Sequence, residues 1–103
     1  MDRKVKVFLY NHLAGVLTQK NSTFTFTYDE NYRGKPLSLS FPLAKKSFSQ
    51  EQLHPFFASL APEGWLKKRY SETQRIDEND TLGMLIQNGK NLIGAVRIER
   101  FDS

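Results

Sequence analysis

The sequence predicts an α+β domain, a small antiparallel β-sheet packed against about three short helices on one side, and three observations predict it. In the first half, apolar and polar residues alternate with period two, as in TFTFTY at 23–28. In the second half, apolar residues recur three and four positions apart, as in Leu53, Phe56, Phe57 and Leu60. A last alternating stretch, VRIER at 96–100, returns the chain to strand. The expected order is four strands, three helices and a closing strand. With 103 residues and no internal repeat, linker or low-complexity tract, the chain reads as a single domain over 1–103.

In KVKVFLYN, Val5, Val7 and Leu9 alternate with Lys4, Lys6 and Phe8, and NHLAG supplies turn residues before VLTQK, so residues 4–19 read as a hairpin. Phe24, Phe26 and Tyr28 share one face of the next strand, with threonines on the other. After a polar loop with Asn31, Arg33 and Gly34, PLSLSFPL reads as a fourth strand, with Leu37, Leu39, Phe41 and Leu43 inward and Ser38 and Ser40 outward. Pro42 has no N–H to give a ladder, which places it at an edge or at the strand's exit. Ser49 and Gln52 have the spacing of a capping box, which predicts the start of the first helix. His54 on that helix reads as a surface or boundary residue. Pro62 and Gly64 interrupt the pattern, and a second helix follows at about 64–74 with Leu66 and Tyr70 on one side. A third helix begins near Asn79 or Asp80, carries Leu82, Leu85 and Ile86, and ends at Gly89. The acidic run Asp77, Glu78 and Asp80 lies where carboxylates complement a helix dipole. In the closing strand Val96 and Ile98 face inward, and Arg97 and Glu99 outward.

Composition narrows the function. An aromatic fraction of 13% supplies buried area and argues against disorder. With no cysteine there is neither a disulfide nor a thiolate metal site, which fits a reducing compartment. No apolar run reaches the roughly 20 residues a bilayer requires, and the charged N-terminus reads as a strand, not a signal peptide. These features predict a cytoplasmic protein. The six glycines stand singly at 15, 34, 64, 83, 89 and 94, so no phosphate-cradling loop is visible. His12 and His54 are 42 residues apart without ligand-like neighbours, and no serine has an identifiable base and orienting partner. The expectation is a protein without catalytic, metal or cofactor sites, and not an enzyme.

Binding remains. The net charge of +4 permits an acidic partner or nucleic acid and compels neither. Lys67, Lys68, Arg69 and Arg75 form a basic patch beside Trp65 and Tyr70, a pairing that grips phosphate and stacks bases in some proteins and is a solvated helix face in many more. Trp65, the single tryptophan, projects among Lys68, Arg69 and Glu72, about 100° around the helix axis from Leu66. Geometry alone leaves two readings: a lid folded over the core edge, or an anchor for a partner.

Three segments in order, PLSLSFPL, PFFASLAPEGWLKKRY and TLGMLIQNGKNLIGAVRI, resemble the N-terminal subdomain of HipA-type Ser/Thr kinases, the toxins of HipBA toxin–antitoxin modules. That subdomain similarly opens on a short hairpin containing a glycine, as LAGVL does here, and continues with a PLSLSLPL-like strand, an FFxxLLPEG turn and a final helix and strand. The resemblance covers about residues 4–99. Ala61 stands where the family often has a second leucine, and NGKN replaces the usual Gly-Arg-Asp. Nothing matches kinase ATP-binding or catalytic motifs. The chain is then either a fragment of a longer protein or a separate subunit, and running from Met1 to just past the last strand it fits the second, like the small HipS proteins of three-part HipBST systems.

In such systems HipT resembles the kinase core, HipB is the DNA-binding component, and HipS binds and neutralises HipT. The resemblance therefore implies an antitoxin whose partners are a HipT-like kinase and, within a larger complex, a HipB-like protein, with no direct nucleic-acid contact and no membrane. It also favours the partner-facing reading of Trp65. The turn Pro62, Glu63, Gly64 and Trp65 is then the exposed candidate, with Trp65 entering a pocket near the kinase active site and Lys67 or Lys68 meeting acidic groups around it. Insertion there either blocks nucleotide binding or holds the lobes in an unproductive arrangement. Two other classes stand beside this one: a non-inhibitory structural subunit that stabilises the kinase, and a small nucleic-acid-binding domain.

Overall fold

In the computed structural model the described residues are 2–61, 64–89 and 95–101, with the side chain of Trp65 left out. The elements are β1 (Arg3–Leu9), β2 (His12–Lys20), β3 (Thr23–Tyr28), β4 (Ser47–Gln50), α1 (Pro55–Ala58), α2 (Gly64–Gln74), α3 (Thr81–Gln87) and β5 (Val96–Arg100). The five strands form one sheet in the order β4-β3-β2-β1-β5 with every neighbour antiparallel. The predicted α+β class and element order both hold. No helix among the described residues is long and apolar enough to cross a membrane.

Alternation places Val5, Val7, Leu17, Phe26, Tyr28 and Ile98 on the face that the rest of the chain covers. The β1–β2 hairpin turns two residues earlier than NHLAG suggests. Tyr10 and Asn11, both with positive φ (49° and 66°), make the two-residue turn whose twist suits a hairpin. His12 to Gly15 already belong to β2. A bulge between Val7 and Phe8 leaves Ala14 out of register, buried, with its carbonyl accepting the Asp29 N–H at 2.8 Å. Next to it, Gly15 must be glycine, because a Cβ there would lie 2.3 Å from the Thr27 carbonyl.

PLSLSFPL is not a strand. Residues 36–43 form a turning loop in which Leu37 and Phe41 are buried, Leu43 is half-buried, and Leu39 is 101% exposed. The cause is the Tyr28 hydroxyl, which accepts the Leu37 N–H at 2.9 Å and donates to the Phe41 carbonyl at 2.5 Å. Burial raises the pKa of this tyrosine, which keeps the proton that the carbonyl receives. The Phe41 N–H also bonds the Ser38 carbonyl, tightening the loop between its anchors. The fourth strand lies further on, where Phe48 pairs with Phe26. Ser49 sits in that strand opposite Thr25, so the Ser49–Gln52 capping box does not form. His54 caps α1 instead: its Nδ1 accepts the Phe56 N–H at 3.0 Å, and Pro55 fills the first helical position. His54 is thus a half-buried structural residue, its ring 4.3 Å from that of Phe41. Of the predicted apolar stripe, Phe57 is fully buried, while Leu53, Phe56 and Leu60 pack partly buried on the core.

Asp80 caps α3 by accepting the Gly83 N–H, and it also clamps α3 to β1. The Arg3 guanidinium meets it with two parallel bonds, Nη1 to Oδ2 at 3.0 Å and Nη2 to Oδ1 at 2.8 Å, while Arg3 Nε bonds Gln19. The hydrogen bond from Arg3 is the main reason that the Asp80 carboxyl lies below its ordinary pKa. A lowered folded-state pKa means that the clamp stabilises fully above the unfolded carboxylate value and loses that contribution as pH falls through the lowered one. Asp80→Asn keeps a good cap but removes the charge. Urea titrations should therefore show wild type more stable at pH 7, with the gap closing as pH drops below about 4. A gap unchanged down to strong acid would contradict the clamp.

Candidate partner-docking site

The predicted binding segment maps onto α2 and the turn that leads into it. Pro62, Glu63 and the Trp65 side chain lie outside the described residues. Gly64 opens α2 exposed, with φ +60° and open space where a Cβ would stand, so backbone conformation and not crowding selects glycine there. Leu66 and Tyr70 are half-buried, as the helical reading placed them, Lys67 is half-buried, and Lys68 and Arg69 are exposed. None of the described α2 side chains is fully buried. An amphipathic helix normally gains its stability by burying an apolar face. Among the described residues, the side-chain hydrogen bonds that join α2 to its surroundings lie toward its C-terminal end.

At the C-terminus of α2, Arg75 takes a left-handed conformation (φ 57°), and the Ile76 N–H returns to the Ser71 carbonyl at 3.1 Å, while the Ser71 hydroxyl bonds the Ile76 carbonyl. The Gln74 and Asn88 side chains then pair reciprocally: Gln74 Nε2 donates to Asn88 Oδ1 at 2.9 Å and Asn88 Nδ2 to Gln74 Oε1 at 3.0 Å. The second Asn88 amide hydrogen goes to the Met84 carbonyl, so a side chain only 6% exposed is fully engaged. This amide pair joins α2 to α3. Its two members are 14 residues apart, and neither stood out in the sequence.

The basic patch divides in three dimensions. Lys68 shares a shallow cleft with Ser71, Glu72, Asp77 and Glu78. Arg75 instead lines a groove of about 830 Å³ at the end of the sheet, with Arg3, Lys20, Ile86 and Arg100 but also Asp2, Asp77 and Asp80. Carboxylates next to both sets of cations break the continuous positive track that a nucleic-acid backbone needs. Asp77 has a local duty too, accepting the Asn79 N–H at 2.8 Å in the turn before α3. Among the described residues, no three His, Asp or Glu side chains gather as metal ligands. What α2 offers is a helix held from behind, with lysines and a tryptophan position near its start.

The HipA N-terminal domain family matches this chain over residues 5–99. A solved N-terminal domain of HipA toxin is similar at a TM-score of 0.79 and 46% identity, covering 95% of this chain and 92% of that one. An uncharacterized protein of Haemophilus influenzae strain Rd is 50% identical over 97 residues, 94% of this chain and 92% of its own length.

If the amide pair is what holds α2, Asn88→Ala should loosen that helix selectively. It strands the Gln74 side chain, while the Met84 carbonyl keeps the backbone N–H of residue 88, a loss of about 1–3 kcal/mol. Amide hydrogen exchange should accelerate across 64–74 far more than in β1–β3. Equal acceleration everywhere would mean that Asn88 supports the whole fold and not α2.

Proposed function

The chain belongs to the HipA N-terminal domain family, and from that membership we propose that it is the antitoxin subunit of a three-part toxin–antitoxin system. It binds a HipA-like Ser/Thr kinase of the HipT type and lowers the kinase's activity by contact near the active site. A HipB-like DNA-binding protein completes the complex. The chain acts by contact and not by catalysis, without a cofactor of its own, and it works in the cytoplasm.

The observation that carries this reading is α2. The helix is pinned through its C-terminal half to α3, yet none of its described side chains is fully buried. At its N-terminal end Gly64 and Lys68 are exposed and Lys67 is half-buried. Trp65, in the first turn of that helix, belongs to the residue type that most often anchors an interface, typically for about 2 kcal/mol or more. Pro62 and Glu63 lead into this turn, and the two lysines supply charge for carboxylates around the receiving pocket.

The test is a kinase autophosphorylation assay with the cognate HipT-like protein, into which wild type and Trp65→Ala are titrated. Wild type should suppress phosphorylation, and Trp65→Ala should need about tenfold more protein or worse for the same effect. Full kinase activity with the wild-type subunit bound would make the chain a non-inhibitory structural subunit. Tight, steeply salt-dependent binding to DNA without any kinase would make it a nucleic-acid-binding domain.

A further inference from the structure

The 36–44 loop is built to hold one leucine in water. Leu39 is 101% exposed, although Leu37 and Phe41, two residues to either side, are 7% and 1% exposed. Lone exposed leucines are ordinary on protein surfaces. This one stands on a loop whose ends are both tied to the buried Tyr28 hydroxyl, at the Leu37 N–H and the Phe41 carbonyl. Within the loop, the Phe41 N–H bonds the Ser38 carbonyl and the Ser40 N–H bonds Ser38 Oγ. Leu39 cannot turn inward without breaking these bonds, so its display is fixed before any partner arrives.

The surroundings indicate what would cover it. Residues 36–44, PLSLSFPLA, carry no charge, and exposed Lys35, Lys45 and Lys46 flank them. An apolar centre with a charged border is the pattern of a protein interface. Two copies of this chain meeting face to face here would set lysines against lysines, which disfavours self-association. Phe41 rests on α1, its ring 5.7 Å from that of Phe57, and from α1 the chain enters the turn before α2.

Resting on the proposed kinase-binding function, we infer that Leu39 is a second, preorganised anchor that enters an apolar, carboxylate-rimmed pocket on the kinase partner. The fixed loop spares the ordering cost that a flexible segment meets on binding.

The experiment is isothermal titration of the kinase with wild type, Leu39→Ser, Leu39→Met and the double variant Lys45→Glu/Lys46→Glu, with melting temperatures and sedimentation measured for each. The Leu39 variants should melt with wild type, because that side chain is exposed, while the charge reversal also removes the Lys45 contact over the Phe48 ring at 5.4 Å and should melt slightly lower. Leu39→Ser should weaken binding about tenfold or more, Leu39→Met should keep most of it, and the charge reversal should weaken binding and reduce its salt dependence. Wild-type binding with Leu39→Ser equally tight would overturn this inference and leave the proposed function standing. Absence of wild-type binding would remove both. A wild-type dimer that Leu39→Ser dissolves would assign Leu39 to a second copy and overturn the kinase pocket.

Discussion

The buried ring of Phe41 ties the edge of the sheet to the 36–44 loop and the first helix. Its ring lies 5.2 Å from that of Phe26 on β3, 5.0 Å from Phe48 on β4 and 4.3 Å from His54, the cap of α1. It also meets Phe56 and Phe57 of α1 itself. A single side chain thus joins the edge of the sheet, the loop and the first helix. Removing so large a buried ring from a core typically costs about 3–5 kcal/mol, a large share of a domain stability of roughly 5–15 kcal/mol. The same insertion fixes the loop, since the Phe41 carbonyl receives the Tyr28 proton, and it leaves Leu39 pointing away. Core packing and surface display are two consequences of one residue's position.

The two faces of the sheet differ in kind. On the outer face, side chains satisfy one another: Lys4 Nζ lies 4.1 Å from the centre of the Phe101 ring, the Arg97 guanidinium lies 4.3 Å from that of Phe8, and Thr25 bonds Ser49 at 2.8 Å. Such cation–aromatic and cross-strand pairs cover the exposed rings of a one-sided sheet. The covered face carries the 36–44 loop, α1 and α3, with α2 joined to α3, and there the polar bonds are spent on holding segments in place: His54 on α1, Tyr28 on the loop, and Asn88 on α2 through Gln74. A domain that works by contact needs such segments fixed in advance, because every residue ordered on binding subtracts from affinity.

Strands with one buried face were legible from the sequence because burial imposes period two. Val5 and Val7, Phe26 and Tyr28, and Ile98 all lie where alternation put them. The second and third helices were legible from their ends, Gly64 at one start and Asp80 and Gly89 around the other. The loop was misread because Leu37, Leu39 and Phe41 alternate as they would in a strand, and sequence does not record that Tyr28 ties the two outer members together. The true fourth strand was invisible: in SFSQ only Phe48 is apolar, and its pairing is set by Phe26 across the sheet. The capping-box spacing of Ser49 and Gln52 misled for a similar reason, since a strand partner took Ser49. For the candidate site, the backbone placement of Gly64, Lys67 and Lys68 at the start of a helix was readable from local signals. The Gln74–Asn88 pair and the exposure of Leu39 were not, because both depend on contacts distant in the chain.

In the proposed complex the domain meets its partner with the loop and α2 and not with the outer face of its sheet. Hydrogen–deuterium exchange of the chain alone and mixed with the proposed HipT-like kinase is the decisive measurement. Binding should slow exchange in residues 37–46 and 64–75, while the rate at Phe8, Val16 and Arg97 stays as it was. Slowed exchange at Phe8, Val16 and Arg97, with 37–46 and 64–75 unaltered, would contradict this arrangement.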